Sequence, residues 1–171
     1  MEKNLPFLIQ AYAQIHAQDP SSVLVLAGDG PLRERTQEQV KEMGIADAVR
    51  FTGFLDHPRL IDLYKAADLF LFASKTETQG LVLVEAMAAG TPAVAVGALG
   101  VLDVVQDGVN GVLVPEDEDQ FVAQALALVK DEDRYALLQQ GALKRAEELS
   151  THKSTLRLLG VFEECLNGLQ E

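Results

Sequence analysis

Apolar side chains recur at Leu5, Leu8, Ile9, Tyr12 and Ile15, the alternation of three and four that lays one apolar stripe along an α-helix. Asp19-Pro20 closes that stripe, and the pattern then changes period. "SSVLVLAGDG" is a short continuous apolar run ending in glycines, as expected of a strand buried on both faces. "PLRERTQEQVKEMG" returns to a helical pattern, with Pro31 in its first turn and Gly44 as its stop, and "AVRFTGF" reads as the next strand. Asp56 is placed to cap a helix in "HPRLIDLYKAA", after which "DLFLFAS" is a strand. Residues 81–89 then read as a helix with Gly90 at its C-terminal end, and "PAVAVG" as a strand. A helical turn near "VLDVVQDG", a last strand in "GVLVP" and three helices from Asp117 onward complete the chain. The last of these, "STLRLLGVFEECLNGL", carries an apolar stripe suited to an arm that packs on a second body.

Helices alternating with short, doubly apolar strands imply an α/β fold: a Rossmann-like three-layer α/β/α domain whose mostly parallel sheet has about five readable strands, followed by extra C-terminal helices. With no internal repeat, low-complexity segment or flexible linker, residues 1–171 are expected to form a single domain. Ligands of such sheets bind outside the carboxyl ends of the strands. The loops at those ends are Gly28-Asp29-Gly30, Gly53-Phe54-Leu55, residues 74–80 and residues 97–100. All are expected to converge on one edge.

Composition removes several classes of function. The 171 residues, 48% of them hydrophobic, suffice for a sizeable core. Twenty-six acidic against 14 basic residues give a net charge of -12, which argues against nucleic acid as a partner and gives no support to direct membrane binding. Cys165 is the one cysteine, and no Cys or His pairs stand at metal-ligand spacing, so neither an internal disulfide nor a metal or other cofactor is expected. The N-terminal stretch lacks a signal peptide's cationic start and apolar run, and no segment is apolar for long enough to span a bilayer. A soluble, cytoplasmic chain is the expectation.

The stretch "SKTETQGLVLVEAMAAGTP" carries the chemistry. If a helix starts near Gly80, the amides of Gly80, Leu81 and Val82 are unpaired donors at the positive end of a helix dipole, an anion site suited to phosphate. Glycine lets the anion approach, and Thr78 and Gln79 stand ready as further donors. Glu85, one turn inside the helix on the face of Leu81, can accept two hydroxyl hydrogen bonds from a ribose. Glu77, earlier in the loop, can reach the group beyond the phosphate. A plainer alternative stands beside this one: glutamates near a helix N-terminus are ordinary dipole partners, and Gly80 suits a turn. That alternative is weaker for Glu85, because a carboxylate among Leu, Val, Ala and Met is costly without a partner. Asp29 reads as a turn or cap residue, and His16, His57 and His152 as surface residues.

"ETQGLVLVEAMAAGTPAVA" resembles the E-x7-E signature of the group 1, or family 4, retaining glycosyltransferases, which have two Rossmann-like domains in the GT-B arrangement. The chain is similar to their C-terminal, donor-binding domain, through "EKN", "LAGDGP", "FTGFL", "LYKAADLFLFAS" and "DVVQDGVNGVLVP". The resemblance implies a nucleotide-sugar donor, a UDP-hexose, and transfer of the hexose to a hydroxyl acceptor, with "TETQG" hinting at a membrane glycolipid precursor. It implies Glu77 and Lys3 as catalytic residues, Glu77 facing the transferred sugar and Lys3 the diphosphate. Glu85 would bind the ribose, the amides of Gly80, Leu81 and Val82 the distal phosphate, and the Phe54-Leu55 loop would border the base. For the Phe54 and Leu55 side chains, loop packing is the alternative, and for Lys3 a solvated helix-start position.

The chain departs from the family pattern at its start. Relatives precede Glu2-Lys3 with a strand and a Gly-Arg pair whose arginine helps neutralise the diphosphate; here Met1 stands alone. Either five strands re-pair around the gap, or another chain completes the sheet, self-association included. The acceptor side belongs to the N-terminal domain of the intact enzyme, so the isolated chain is expected to transfer little or nothing. The alternatives are a non-catalytic nucleotide-binding or assembly module, or an epimerase or phosphorylase of the same fold.

Overall fold

The first apolar stripe forms α1 (Leu5–Gln18), which has a proline in its opening turn and buries Phe7, Leu8, Ile9, Ala11, Tyr12 and Ile15. The computed structural model describes residues 3–168; Met1 and Glu2 lie outside them. After α1 come β1 (Leu24–Ala27), α2 (Arg33–Glu42), a short 3₁₀ turn (Ala46–Ala48) and β2 (Val49–Gly53). Pro31 precedes α2 instead of sitting in its first turn. Next follow α3 (His57–Ala66), β3 (Phe70–Phe72), α4 (Leu81–Ala88), β4 (Ala93–Val96), α5 (Gly100–Val104) and β5 (Gly111–Val114). The chain ends in α6 (Glu118–Lys130), α7 (Glu132–Glu148) and α8 (Thr151–Gly168). Two caps sit where their side chains require. Asp56 accepts from the Arg59 amide at 3.1 Å and Asp117 from the Gln120 amide at 2.8 Å, each satisfying one orphan donor of a first turn.

The five strands are all parallel, as the alternation implies, but they form two sheets instead of one. β1 pairs with β2, Leu24 opposite Val49 and Leu26 opposite Phe51; β3, β4 and β5 pair in that order. Among the described residues no pairing joins β1 to the β3-β4-β5 sheet. Among them β1 therefore has a strand neighbour on one side only, and its burial corrects the expectation for "SSVLVLAGDG": Leu24 and Leu26 are half-buried, while Val25 and Ala27 are exposed. β4, flanked on both sides, is fully buried along its length.

One helix holds the two sheets together. Ile9 and Tyr12 of α1 share a core with Val49 of β2, Val94 and Val96 of β4, Val112 and Val114 of β5, and Phe121 of α6. The Tyr12 hydroxyl lies 2.9 Å from the Ser22 carbonyl and 3.0 Å from the Ala48 carbonyl, fixing α1 over the ends of β1 and the 3₁₀ turn. On the opposite face, Phe72, Ala93 and Ala95 pack with Leu83 and Met87 of α4, Val101 and Val104 of α5, and Ala142 and Ala146 of α7. The second sheet is thus the middle of three layers. The apolar stripe of α8 is left half exposed at Leu156, Leu158, Leu159, Val161 and Phe162. Among the described residues no helix is long and apolar enough to cross a membrane.

Candidate functional site

The loops at the strand ends are tied in pairs. After β1 and β2, the Gly28 amide donates to the Gly53 carbonyl at 2.8 Å. Asp29 accepts from the Gly30 amide at 2.8 Å and lies 3.7 Å from the Arg33 guanidinium, the behaviour of a turn residue. Phe54 is 86% exposed and Leu55 half-buried. Loop packing thus does not account for the Phe54 ring, which stands free to cover a planar ligand. After β3 and β4, the Gly100 amide donates to the Glu77 carbonyl at 3.0 Å. Gly100 lies so close to the Thr78 carbonyl that a Cβ at this position would overlap it.

That brace presents the N-terminus of α4. Gly80 precedes the helix at φ 65°, a conformation for which glycine is suited, and its carbonyl accepts from the Leu83 and Val84 amides. The Leu81 and Val82 amides have no acceptor among the described residues and are open to an anion. The Gly80 amide, expected in the same role, is already engaged: it donates to a Glu77 carboxylate oxygen at 3.1 Å, which also accepts from the Gln79 amide at 3.3 Å. The other Glu77 oxygen accepts from Lys3 Nζ at 3.2 Å. Lys3 in turn lies 5.9 Å from the Phe72 ring centroid and is no merely solvated residue. The Thr78 and Gln79 side chains are exposed and make no hydrogen bond among the described residues. A second pair borders the same mouth, where Glu116 binds both Lys75 and the Asn4 amide group.

These bonds hold the Glu77 carboxyl below its ordinary value of 4.5, first through the Gly80 amide and then through Lys3. A carboxylate depressed in the folded state contributes stability above its unfolded pKa and loses it as pH falls through the folded one. Glu77→Gln is therefore expected to lower the melting temperature at neutral pH by a degree or two, and the difference is expected to shrink and be lost as pH falls from the ordinary carboxylate value of 4.5 through the lower folded-state one. Melting curves across that range check it; a difference independent of pH would overturn it.

Glu85 is half-buried on α4, one turn from Leu81. The partner it requires is Tyr64 of α3, whose hydroxyl donates to a Glu85 oxygen at 3.3 Å. Burial first, and the Glu85 carboxylate second, push the Tyr64 phenol up to about 12. Thr91 donates to the Tyr64 carbonyl at 2.6 Å, and the Tyr64 ring meets Phe70 edge-on at 5.5 Å. Sequence reasoning missed Tyr64. Its signal was a residue with an apolar body and a polar tip on the inner stripe of "HPRLIDLYKAA".

The family described as glycosyl transferases group 1 matches residues 1–145. The chain belongs to this family. Among curated relatives, the chain is 36% identical over 132 residues to the alpha-monoglucosyldiacylglycerol synthase of Streptococcus pneumoniae, covering 77% of the chain and 30% of the relative. It is 36% identical over 176 residues to D-inositol 3-phosphate glycosyltransferase 1 of Catenulispora acidiphila, covering 97% and 42%. The chain thus spans less than half the length of these relatives. Among solved structures, Anabaena HepE in complex with UDP-glucose superposes with a TM-score of 0.77 at 30% identity, covering 85% of this chain and 41% of that one. The α/β architecture is therefore the one shared by GT-B glycosyl transferases.

Proposed function

We propose that this group 1 glycosyl transferase chain binds the donor, a UDP-hexose, for a retaining enzyme that passes the hexose to a hydroxyl on a membrane glycolipid precursor. The observation that carries the reading is the α4 N-terminus, where open amides at Leu81 and Val82 stand beside Lys3 and Glu77, with Glu85 one turn further along. The distal phosphate sits on the open amides and Lys3, which stabilise the charge that develops as the diphosphate leaves. Glu85 accepts the ribose hydroxyls, Glu77 faces the hexose, and Phe54 and Leu55 border the uracil. The diphosphate competes with Glu77 for Lys3 and the Gly80 amide, so donor binding loosens the Glu77 cap. That frees its carboxylate to face the sugar. The UDP-glucose complex of HepE supports the donor class, and the diacylglycerol-linked product named for the pneumococcal relative supports the acceptor class.

The acceptor is bound by the N-terminal domain of the intact enzyme, working in the cytoplasm at the inner membrane face. The chain alone supplies one wall of the cleft and transfers little or nothing. Calorimetric titration of the chain with UDP and GDP tests the donor reading. UDP is expected to bind and GDP to bind about tenfold more weakly or not at all. Absence of UDP binding would sink the proposal.

A further inference from the structure

We infer that Tyr64 is the positioning residue for Glu85, and that α3 thereby couples the loop beside the nucleotide base to the ribose-binding carboxylate. The inference rests on the donor reading above. Tyr64 is the buried residue of α3, whereas Leu60, Ile61 and Leu63 on the same helix are half-buried. Tyr64 is thus the deepest anchor of the helix, through its side chain and its backbone carbonyl, with Leu60, Ile61 and Leu63 packed less fully. The ring packs edge-on against Phe70, the carbonyl takes the Thr91 hydroxyl, and the phenol ends on Glu85. At its other end α3 starts from Asp56, whose carboxylate caps the Arg59 amide, immediately after Phe54-Leu55. A ten-residue helix moves as a rigid body, so a shift of the base-side loop reaches Glu85 through Tyr64.

The chemistry at the Glu85 end is directional. An ionised carboxylate is acceptor-only, and a phenol that keeps its proton throughout the physiological range can only donate to it. Burial maintains that protonated state. With one oxygen engaged by Tyr64, rotation of the carboxylate about its last torsion is biased toward one orientation, and the other oxygen, which has no partner among the described residues, is left for the ribose hydroxyls. Pre-orientation of this kind strengthens binding by removing rotamer freedom that the ligand would otherwise have to freeze.

Tyr64→Phe separates positioning from packing. It keeps the ring, the Phe70 contact and the Thr91 bond to the backbone, and removes one hydroxyl. UDP affinity is expected to fall about tenfold, while inorganic pyrophosphate, which has no ribose, binds within about twofold of wild type. On a Glu85→Gln background the same change is expected to add little, because the two residues act as one unit. Equal weakening of UDP and pyrophosphate would mean general loosening and would overturn the inference. So would an unchanged UDP affinity. Wild-type chain that binds no UDP would overturn the donor reading and this inference with it. A second measurement, NMR titration of isotope-labelled tyrosine, reads the pair without ligand. In Glu85→Gln the Tyr64 phenol should ionise below its value of about 12 yet stay above the ordinary one, since burial persists. An unmoved Tyr64 would overturn the inference as well.

Discussion

Glu85→Ala is expected to weaken UDP binding at least about thirtyfold. Each hydrogen bond from a ribose hydroxyl to a carboxylate contributes roughly 1.5–3 kcal/mol, and about 1.4 kcal/mol is a factor of ten. Two such bonds therefore suffice for the loss. A competing effect has the opposite sign. Removing a negative charge near the phosphate site relieves repulsion, worth about 2 kcal/mol at an effective dielectric of about 20 and a separation of about 8 Å, and roughly 1 kcal/mol once physiological salt screens it. The hydrogen bonds win for UDP, and the electrostatic relief wins for pyrophosphate, whose affinity should stay level or rise. Calorimetry with both ligands reads the two signs separately. UDP affinity within about threefold of wild type would remove Glu85 from the site. The stability cost is small, because Glu85 is half-exposed and water can replace it as the acceptor for the Tyr64 hydroxyl.

What the sequence disclosed follows the range of the forces involved. The order of helices and strands was legible because apolar period is local, as was the cap at Asp56, which needs only a side chain and an amide three residues on. The split sheet was not legible. Strand pairing joins segments far apart in the chain, and the apolar run Val23 to Ala27 has the same composition whether β1 has one neighbour or two. Within the site, Glu77 lies at the α4 N-terminus and binds Lys3, a residue that only the family resemblance, not spacing, had brought there. The engagement of the Gly80 amide by Glu77 was not legible either, since spacing does not say that the loop folds the carboxylate back onto its own helix start. Tyr64 reaches Glu85 across 21 positions of sequence, and a carboxylate's need for a partner does not say which residue supplies it. Phe54 went the other way: its exposure removes loop packing as an account of the ring, and the titration with UDP tests whether it borders the base.

Gly100→Ala is expected to be the most disruptive single-methyl change near the site. The added Cβ would overlap the Thr78 carbonyl and stand 3.0 Å from the Gln79 nitrogen, all of it backbone. At Gly80 the nearest atom would be a side-chain one, Val104 Cγ2 at 2.8 Å, and the cost there is chiefly the φ of 65° that disfavours any Cβ. The backbone facing Gly100 cannot turn aside, so α5 and the loop 74–80 must separate, which breaks the bond from the buried Gly100 amide to the Glu77 carbonyl. Overpacking costs about 1–3 kcal/mol and the stranded amide about 1 kcal/mol more. For a chain of this size a loss of about 3 kcal/mol lowers the melting temperature by roughly 6–12 °C and leaves most molecules folded at room temperature. The ligand signature should be the reverse of that of Glu85→Ala. Displacing the loop moves the Gly80 amide and the Glu77–Lys3 pair together, so UDP and pyrophosphate are expected to weaken in parallel. A variant that melts with wild type would show that the loop yields without cost. A variant that melts early but binds pyrophosphate normally would detach the anion site from the brace that Gly100 provides.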